Sequence, residues 1–182
     1  MERVLLMWPN LKQDLKRYFR EPGDKVNIYL IFEQGLWAIA VYRFGRCVRQ
    51  IKIPLISFVL KVIAFLLFKL IEIITGISLP VSARIGKGLY VGHFGYCIVH
   101  SDVVIGENFS MGPGVVIGTR GIGNQGVPVI GDNVYVGTGA KILGGIKIGS
   151  HVRIGANAVV LMDVPDHCTV VGAPARIIER KS

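Results

Sequence analysis

The chain has 182 residues, a formal net charge of +9, 51% hydrophobic and 18% charged residues, which leaves room for one main domain with an extension and excludes a disordered polymer. Its basic residues are interleaved with aliphatic ones and show no helix-turn-helix or zinc-finger spacing, so nucleic acid is excluded as an expected partner. Three widely spaced cysteines, Cys47, Cys97 and Cys168, exclude a disulfide framework, and the early charges of the N-terminus exclude a cleavable signal peptide; a reduced, cytoplasmic setting is expected.

The sequence grammar changes near residue 80. Residues 1–80 carry 12 Lys+Arg against 6 Asp+Glu, and residues 81–182 carry 9 against 6, so the basic character is concentrated in the first part. Residues 11–21 read as a short polar helix broken by Pro22-Gly23-Asp24, and Tyr29 to Arg49 as a second helix. The third stretch, Ile53 to Gly76, is the most apolar, with Pro54 suited to its first turn and Gly76 to its end. It is long enough to span a bilayer. Its charges, Lys61, Lys69 and Glu72, fall on one narrow stripe, however, which predicts a helix lying in the interface. Flanking Arg46, Arg49 and Lys52 would face anionic headgroups. The expectation is peripheral contact with the inner face of a bacterial plasma membrane; packing against other subunits is the alternative.

From Ile85 onward an aliphatic residue followed by glycine recurs at Ile85-Gly86, Val91-Gly92, Ile105-Gly106, Met111-Gly112 and Ile117-Gly118. It continues at Ile130-Gly131, Val136-Gly137, Ile148-Gly149 and Ile154-Gly155. A period of six is the hexapeptide repeat of a parallel β-helix, with three hexads per triangular coil. The fold expected is mainly β: a helical region over 1–80 and a β-helix over 81–182. The beat holds through Cys97 and then slips by two residues to Ile105. It breaks again after Ile117, where residues 119–128, rich in glycine and amide side chains, read as an extruded loop. Val164-Pro165-Asp166 ends the prism and a basic tail follows. Counting hexads stacks His93 on residue 112 and predicts that His93, the Tyr96 region and the loop root share one corner.

The segments LYVGHFGYCIVHSDVVIGENFSMGPGVVIGTRG and VIGDNVYVGTGAKILGGIKIGSHVRIGANAVVLMDVPDHCTVVGAPARII resemble the serine acetyltransferase branch of the hexapeptide acyltransferases. Within that branch they look closest to polysaccharide O-acetyltransferases of the colanic-acid and capsule type. Ala40-Val41-Tyr42-Arg43 resembles a short motif of the branch's last helical region, so the likeness covers about residues 36–178. It implies a left-handed β-helix, a homotrimer, and acetyl-CoA in the groove between adjacent prisms. His93 matches the catalytic histidine, whose implied role is general base toward an acceptor hydroxyl, a task suited to imidazole near neutral pH. The resemblance carries coenzyme A contacts to Gly118, Thr119 and Arg120 and to Gly137, Thr138 and Ala156. Lys141, Arg176 and Arg180 are cations suited to its phosphates. Tyr96, His100 and Asp102 are candidates for the acceptor side, and His151 and His167 are expected to be solvated.

Three departures bear on the acceptor. The serine enzymes carry an acidic residue directly before the catalytic histidine, where this chain has Gly92. A further aspartate falls near Ser78, and a loop histidine near Val127. An amino acid's ammonium needs a charge partner, so loss of these carboxylates favours a neutral sugar hydroxyl. The leading expectation is therefore acetylation of a sugar or lipid-linked saccharide in exopolysaccharide or capsule synthesis. The alternative is serine O-acetylation in cysteine synthesis. A non-acylating β-helix, such as a γ-type carbonic anhydrase or a scaffold, ranks third. Its zinc would need three convergent histidines, a spacing that His93 and His100 do not supply, and no metal is expected.

Overall fold

A computed structural model describes residues 7–19 and 28–179. The N-terminal part contains α1 (Met7–Lys16), a 3-10 turn (Ile28–Phe32), α2 (Gln34–Val48) and α3 (Pro54–Thr75). The expected single helix from Tyr29 is thus divided, because Glu33 is extended (φ −75°, ψ 100°). The division lets Gly35 come against the backbone carbonyl of Val91, an approach that any Cβ would block. The first helix begins earlier than residue 11 and ends before Pro22-Gly23-Asp24, which lies outside the described residues. Pro54 opens α3, and Gly76 closes it in the left-handed conformation (φ 70°), donating its N–H to Glu72 O.

The remainder is a parallel β-helix of three sheets. The first sheet stacks β1 (Ile77–Ser78), β4 (Cys97–Val99), β7 (Val116–Gly118), β10 (Lys141–Leu143) and β13 (Val159–Val160). The second stacks β2 (Arg84–Ile85), β5 (Val104–Ile105), β8 (Val129–Ile130) and β11 (Lys147–Ile148). The third stacks β3 (Tyr90–Val91), β6 (Ser110–Met111), β9 (Tyr135–Val136), β12 (Arg153–Ile154) and β14 (Cys168–Val171). Antiparallel β15 (Arg176–Glu179) covers the last strand, so the segment expected as a basic tail is a hairpin as far as Glu179. Each coil sends two apolar residues inward per wall, such as Val115 with Ile117 and Ala140 with Ile142, and both members of these pairs are fully buried.

The first coil would present unpaired backbone edges, which the helices close. Tyr42 Oη donates to Ala83 O at 2.8 Å and accepts the Ile85 N–H at 3.1 Å. Arg43 donates to Ile85 O at 2.9 Å and Gly86 O at 2.6 Å, and grips Asp14 through Nε at 2.7 Å and Nη2 at 3.1 Å. Asp14 in turn accepts the Leu89 N–H at 2.8 Å, and Tyr18 Oη donates to Val91 O at 3.0 Å. The Tyr-Arg pair of the recognised motif is therefore an end cap for the prism.

Candidate active site

Three ladders of corners join the sheets, and the two sequence faults fall on different ones. Val91 pairs with Met111 and Ile98 with Val116, so Cys97 stands level with Val115. The turn Gly92–Tyr96 therefore has two residues more than Gly112–Gly114 below it. The extra residues lie before Cys97, around His93 itself, and not after Cys97 as the hexad count had it. Cys97 mimics the beat because it is small, apolar and fully buried, yet Val99 occupies the true hexad position.

His93 is exposed and has φ 60°, a left-handed conformation that costs a side-chain-bearing residue energy and is retained where the surroundings enforce it. The end of α3 ties down the rest of the turn: the Gly95 N–H donates to Thr75 O at 2.8 Å, and the Cys97 N–H to Gly76 O at 2.9 Å. The imidazole of His93 makes no hydrogen bond or ion pair among the described residues. Beneath it Cys97 Sγ lies 3.4 Å from Gly112 O, and burial pushes its thiol pKa up, so Cys97 is a protonated filler and not a nucleophile.

Below His93 on the same ladder come Gly112-Pro113-Gly114, Gly137-Thr138-Gly139 and Gly155-Ala156-Asn157. Three of the predicted coenzyme contacts, Gly137, Thr138 and Ala156, are thus stacked under the histidine. Lys141 Nζ reaches this ladder from β10, donating to Gly114 O at 2.5 Å and Gly139 O at 3.0 Å. Arg176, exposed at the start of β15, stands beyond the last of these corners. It is five strand separations from the His93 coil, about 24 Å at the usual strand spacing. Arg180 lies outside the described residues. Coil stacking itself requires a small residue at 137, since a Cβ there would lie 2.6 Å from Ala156 N.

The second ladder, between the first and second sheets, holds the other predicted group. Seven residues beyond the normal hexad separate Ile117 from Ile130, and the loop root Gly118, Thr119 and Arg120 stacks between His100 and Leu143. Gly118 is open: a Cβ would meet only His100 Cβ, at 3.6 Å. Arg120 Nε donates to Leu143 O at 3.3 Å. His100 Nδ1 accepts the Asp102 N–H at 3.2 Å, so the neutral imidazole carries its proton on Nε2 and presents a donor. Asp102 accompanies His100, with Nδ1 to Oδ2 at 3.9 Å. Of the acceptor-side candidates only Tyr96, which is 61% exposed, shares the His93 turn. His93 and the loop root do not share a corner, contrary to the stacking expectation.

His151 and His167 belong to the third ladder. Both have positive φ, and their rings stack at 4.7 Å and 5°, continuing a column that begins with Asn108 and Asn133. Beside that column, an open cavity of about 530 Å³ is lined by Arg17, Tyr135, His151 and Arg153, away from His93. Among the described residues no group of three His, Cys, Asp or Glu side chains could hold a metal ion.

Stacked hexads with an exposed histidine at an enlarged corner fit a hexapeptide-repeat acyltransferase scaffold. The family profile "Bacterial transferase hexapeptide (six repeats)" matches residues 128–161. The serine acetyltransferase of Synechococcus elongatus is 36% identical over 179 residues, covering 96% of this chain and 70% of that protein. That of Helicobacter pylori strain J99 is 34% identical over 174 residues, covering 94% of this chain and 98% of that protein. The crystal structure of Neisseria gonorrhoeae serine acetyltransferase superposes with a TM-score of 0.81 at 32% identity, over 98% of this chain and 69% of that one. The chain belongs to the serine acetyltransferase family and is an acetyl-CoA-dependent O-acetyltransferase; the hexapeptide-repeat acetyltransferases of this family are trimeric.

These relationships overturn the expectation of a polysaccharide O-acetyltransferase, since they run the length of the chain and lead to serine enzymes. That expectation leaned on Gly92, and the structure gives Gly92 another explanation. A Cβ there would lie 3.2 Å from Cε1 of Tyr90 and 3.6 Å from its hydroxyl. The Tyr90 ring, tilted against Tyr18 at 4.7 Å, fills the space that a larger residue 92 would take. Gly92 thus packs closely on Tyr90, so its missing carboxylate is not by itself an argument for a sugar. The likeness to polysaccharide enzymes, the saccharide acceptor and the assignment to exopolysaccharide synthesis fall with it.

Proposed function

We propose that the protein is a serine O-acetyltransferase, acting as a trimer. The observation that carries this reading is the correspondence with the Helicobacter pylori enzyme over nearly the full length of both chains. In the proposed reaction His93 takes the proton of the serine hydroxyl as its oxygen attacks the thioester carbonyl. The new C–O bond replaces the C–S bond, and the coenzyme A thiolate leaves and recovers the proton.

The trimer supplies a reason for the division of candidate residues between two corners. The outward residues of the first sheet are Ser78, Ile98, Val116, Lys141 and Val159, and the one cation among them is turned onto backbone carbonyls. The other two sheets present Arg84 and Lys147, or Arg153 with two tyrosines. The first sheet is thus the most apolar face, and it lies between the His93 corner and the His100 corner. Packing three such faces around a threefold axis brings the His93 corner of one protomer to the loop root of the next. The site would then combine His93 and Tyr96 with the neighbour's Gly118, Thr119 and Arg120.

The test is coenzyme A release from acetyl-CoA by the purified trimer, with L-serine or neutral monosaccharides as acceptor. Turnover with serine and not with sugars is expected, and His93→Ala is expected to lower it by about 10²–10⁴-fold with the trimer intact. Turnover with sugars in preference to serine, or full activity of His93→Ala, would refute the reading.

A further inference from the structure

The helix α3 is built inside out. Ser57, Ala64 and Thr75 are buried against the protein, and Ile71 packs on the core. The large side chains Leu55, Phe58, Phe65, Leu66, Leu70 and Ile73 point outward, with Leu55 76% and Ile73 81% exposed. On a helical wheel these residues cover about 140° of the circumference, interrupted by Lys69 alone, which is paired with Glu72 at 2.7 Å. By length and composition α3 could cross a membrane. Its inner side is occupied by α2 and β1, however, so lipid cannot surround it.

We propose that α3 lies along an anionic lipid bilayer and holds the enzyme on that surface; this does not depend on the acceptor. Two observations favour lipid over a second copy of the chain. Arg49, Lys52 and Lys61 are exposed beside the apolar arc and form no ion pair among the described residues. A second copy would set these cations against their equals, whereas lipid phosphates would neutralise them. Next to them a cavity of about 450 Å³ opens between α2, α3 and the first coil. It is walled by Ala64, Phe65, Phe68 and Val81, with Arg49 and Lys61 among its lining residues. An apolar cavity with two lining cations suits one acyl chain and its anionic headgroup. The end of α3 also holds the His93 turn, through Thr75 O and Gly76 O, so the docked helix keeps the candidate site beside the bilayer.

The experiment is flotation of the full-length protein with vesicles of phosphatidylcholine and phosphatidylglycerol in equal parts, compared with phosphatidylcholine alone. The protein is expected to float with the anionic vesicles. The pair Arg49→Glu and Lys61→Glu should weaken binding at least about thirtyfold. Leu66→Asp, at an exposed position, should abolish it while circular dichroism and coenzyme A release stay unchanged. Failure to float with anionic vesicles would overturn the proposal, as would equal binding to both vesicle types that the charge reversals leave intact. Light scattering in vesicle-free buffer separates the remaining occupant: a particle of twice the trimer mass that Leu66→Asp splits, with no flotation, would assign the face to a second copy. Serine turnover measured on the same samples keeps this outcome distinct from failure of the proposed activity.

Discussion

Replacing Arg43 by Met tests the end cap of the β-helix. Arg43 is 4% exposed and makes two bonds to Asp14 and two to backbone carbonyls of the first coil. The methionine stem keeps part of the packing and removes all four donors. Asp14, which is fully buried, would then hold its charge with the Leu89 N–H as its remaining donor among the described residues. Removing one partner of a buried ion pair costs about 3–5 kcal/mol, because the other charge is left uncompensated. For a chain of this size that is a fall in Tm of roughly 6–20 °C, at about 2–4 °C per kcal/mol. Thermal unfolding followed by circular dichroism measures it, and amide exchange should show β2 and β3 opening first. Adding Asp14→Asn removes the stranded charge, so the double variant should melt above Arg43→Met alone. A loss below about 2 °C for Arg43→Met, or a double variant that melts lower still, would refute the cap as the closure of the first coil.

Two further outcomes follow from the same geometry. When His93→Ala and Arg120→Ala protomers are co-assembled in equal amounts, a site shared between neighbours is intact at about a quarter of interfaces. Serine turnover should therefore recover toward a quarter of the wild-type value, whereas sites confined to single protomers would recover nothing. Burial pushes the phenols of Tyr18 and Tyr42 up, so the folded state holds their protons more tightly than the unfolded chain does. Their contribution to stability is complete below about pH 10 and falls as pH rises beyond it. Urea titrations between pH 8 and 11 should show that decline, and Tyr42→Phe should flatten it while lowering stability at pH 8 by about 1–3 kcal/mol.

The prism was legible because its signal is local: an inward aliphatic residue and a cramped corner recur every six residues, and each coil repeats the requirement. Corner identity was less legible, because it depends on summing the insertions. Two residues added before Cys97 and seven added after Ile117 decide which edge each histidine occupies, and Cys97 hid the first by filling a hexad position with an apolar side chain. The end cap was invisible for a different reason. Asp14, Arg43 and Leu89 are brought together from three elements, and nothing in the spacing of Asp14 marks it as the counter-ion of Arg43.

Gly92 shows how one residue misleads when its neighbour on the same corner is not weighed. The absence of a carboxylate before His93 is a chemical fact about the sequence, and it would favour a neutral acceptor if position 92 were free to vary. It is not free. Tyr90 lies two residues earlier, on the same outward face of the strand, and its ring already occupies the space beyond the Gly92 Cα. The informative variant therefore changes both residues: Tyr90→Ala vacates that space and Gly92→Asp then fills it with a carboxylate. If glycine is there because of packing, Gly92→Asp alone should destabilise the His93 turn, and the double variant should restore the lost melting temperature at least in part. If the double variant is no more stable than Gly92→Asp alone, Tyr90 is not the reason for the glycine.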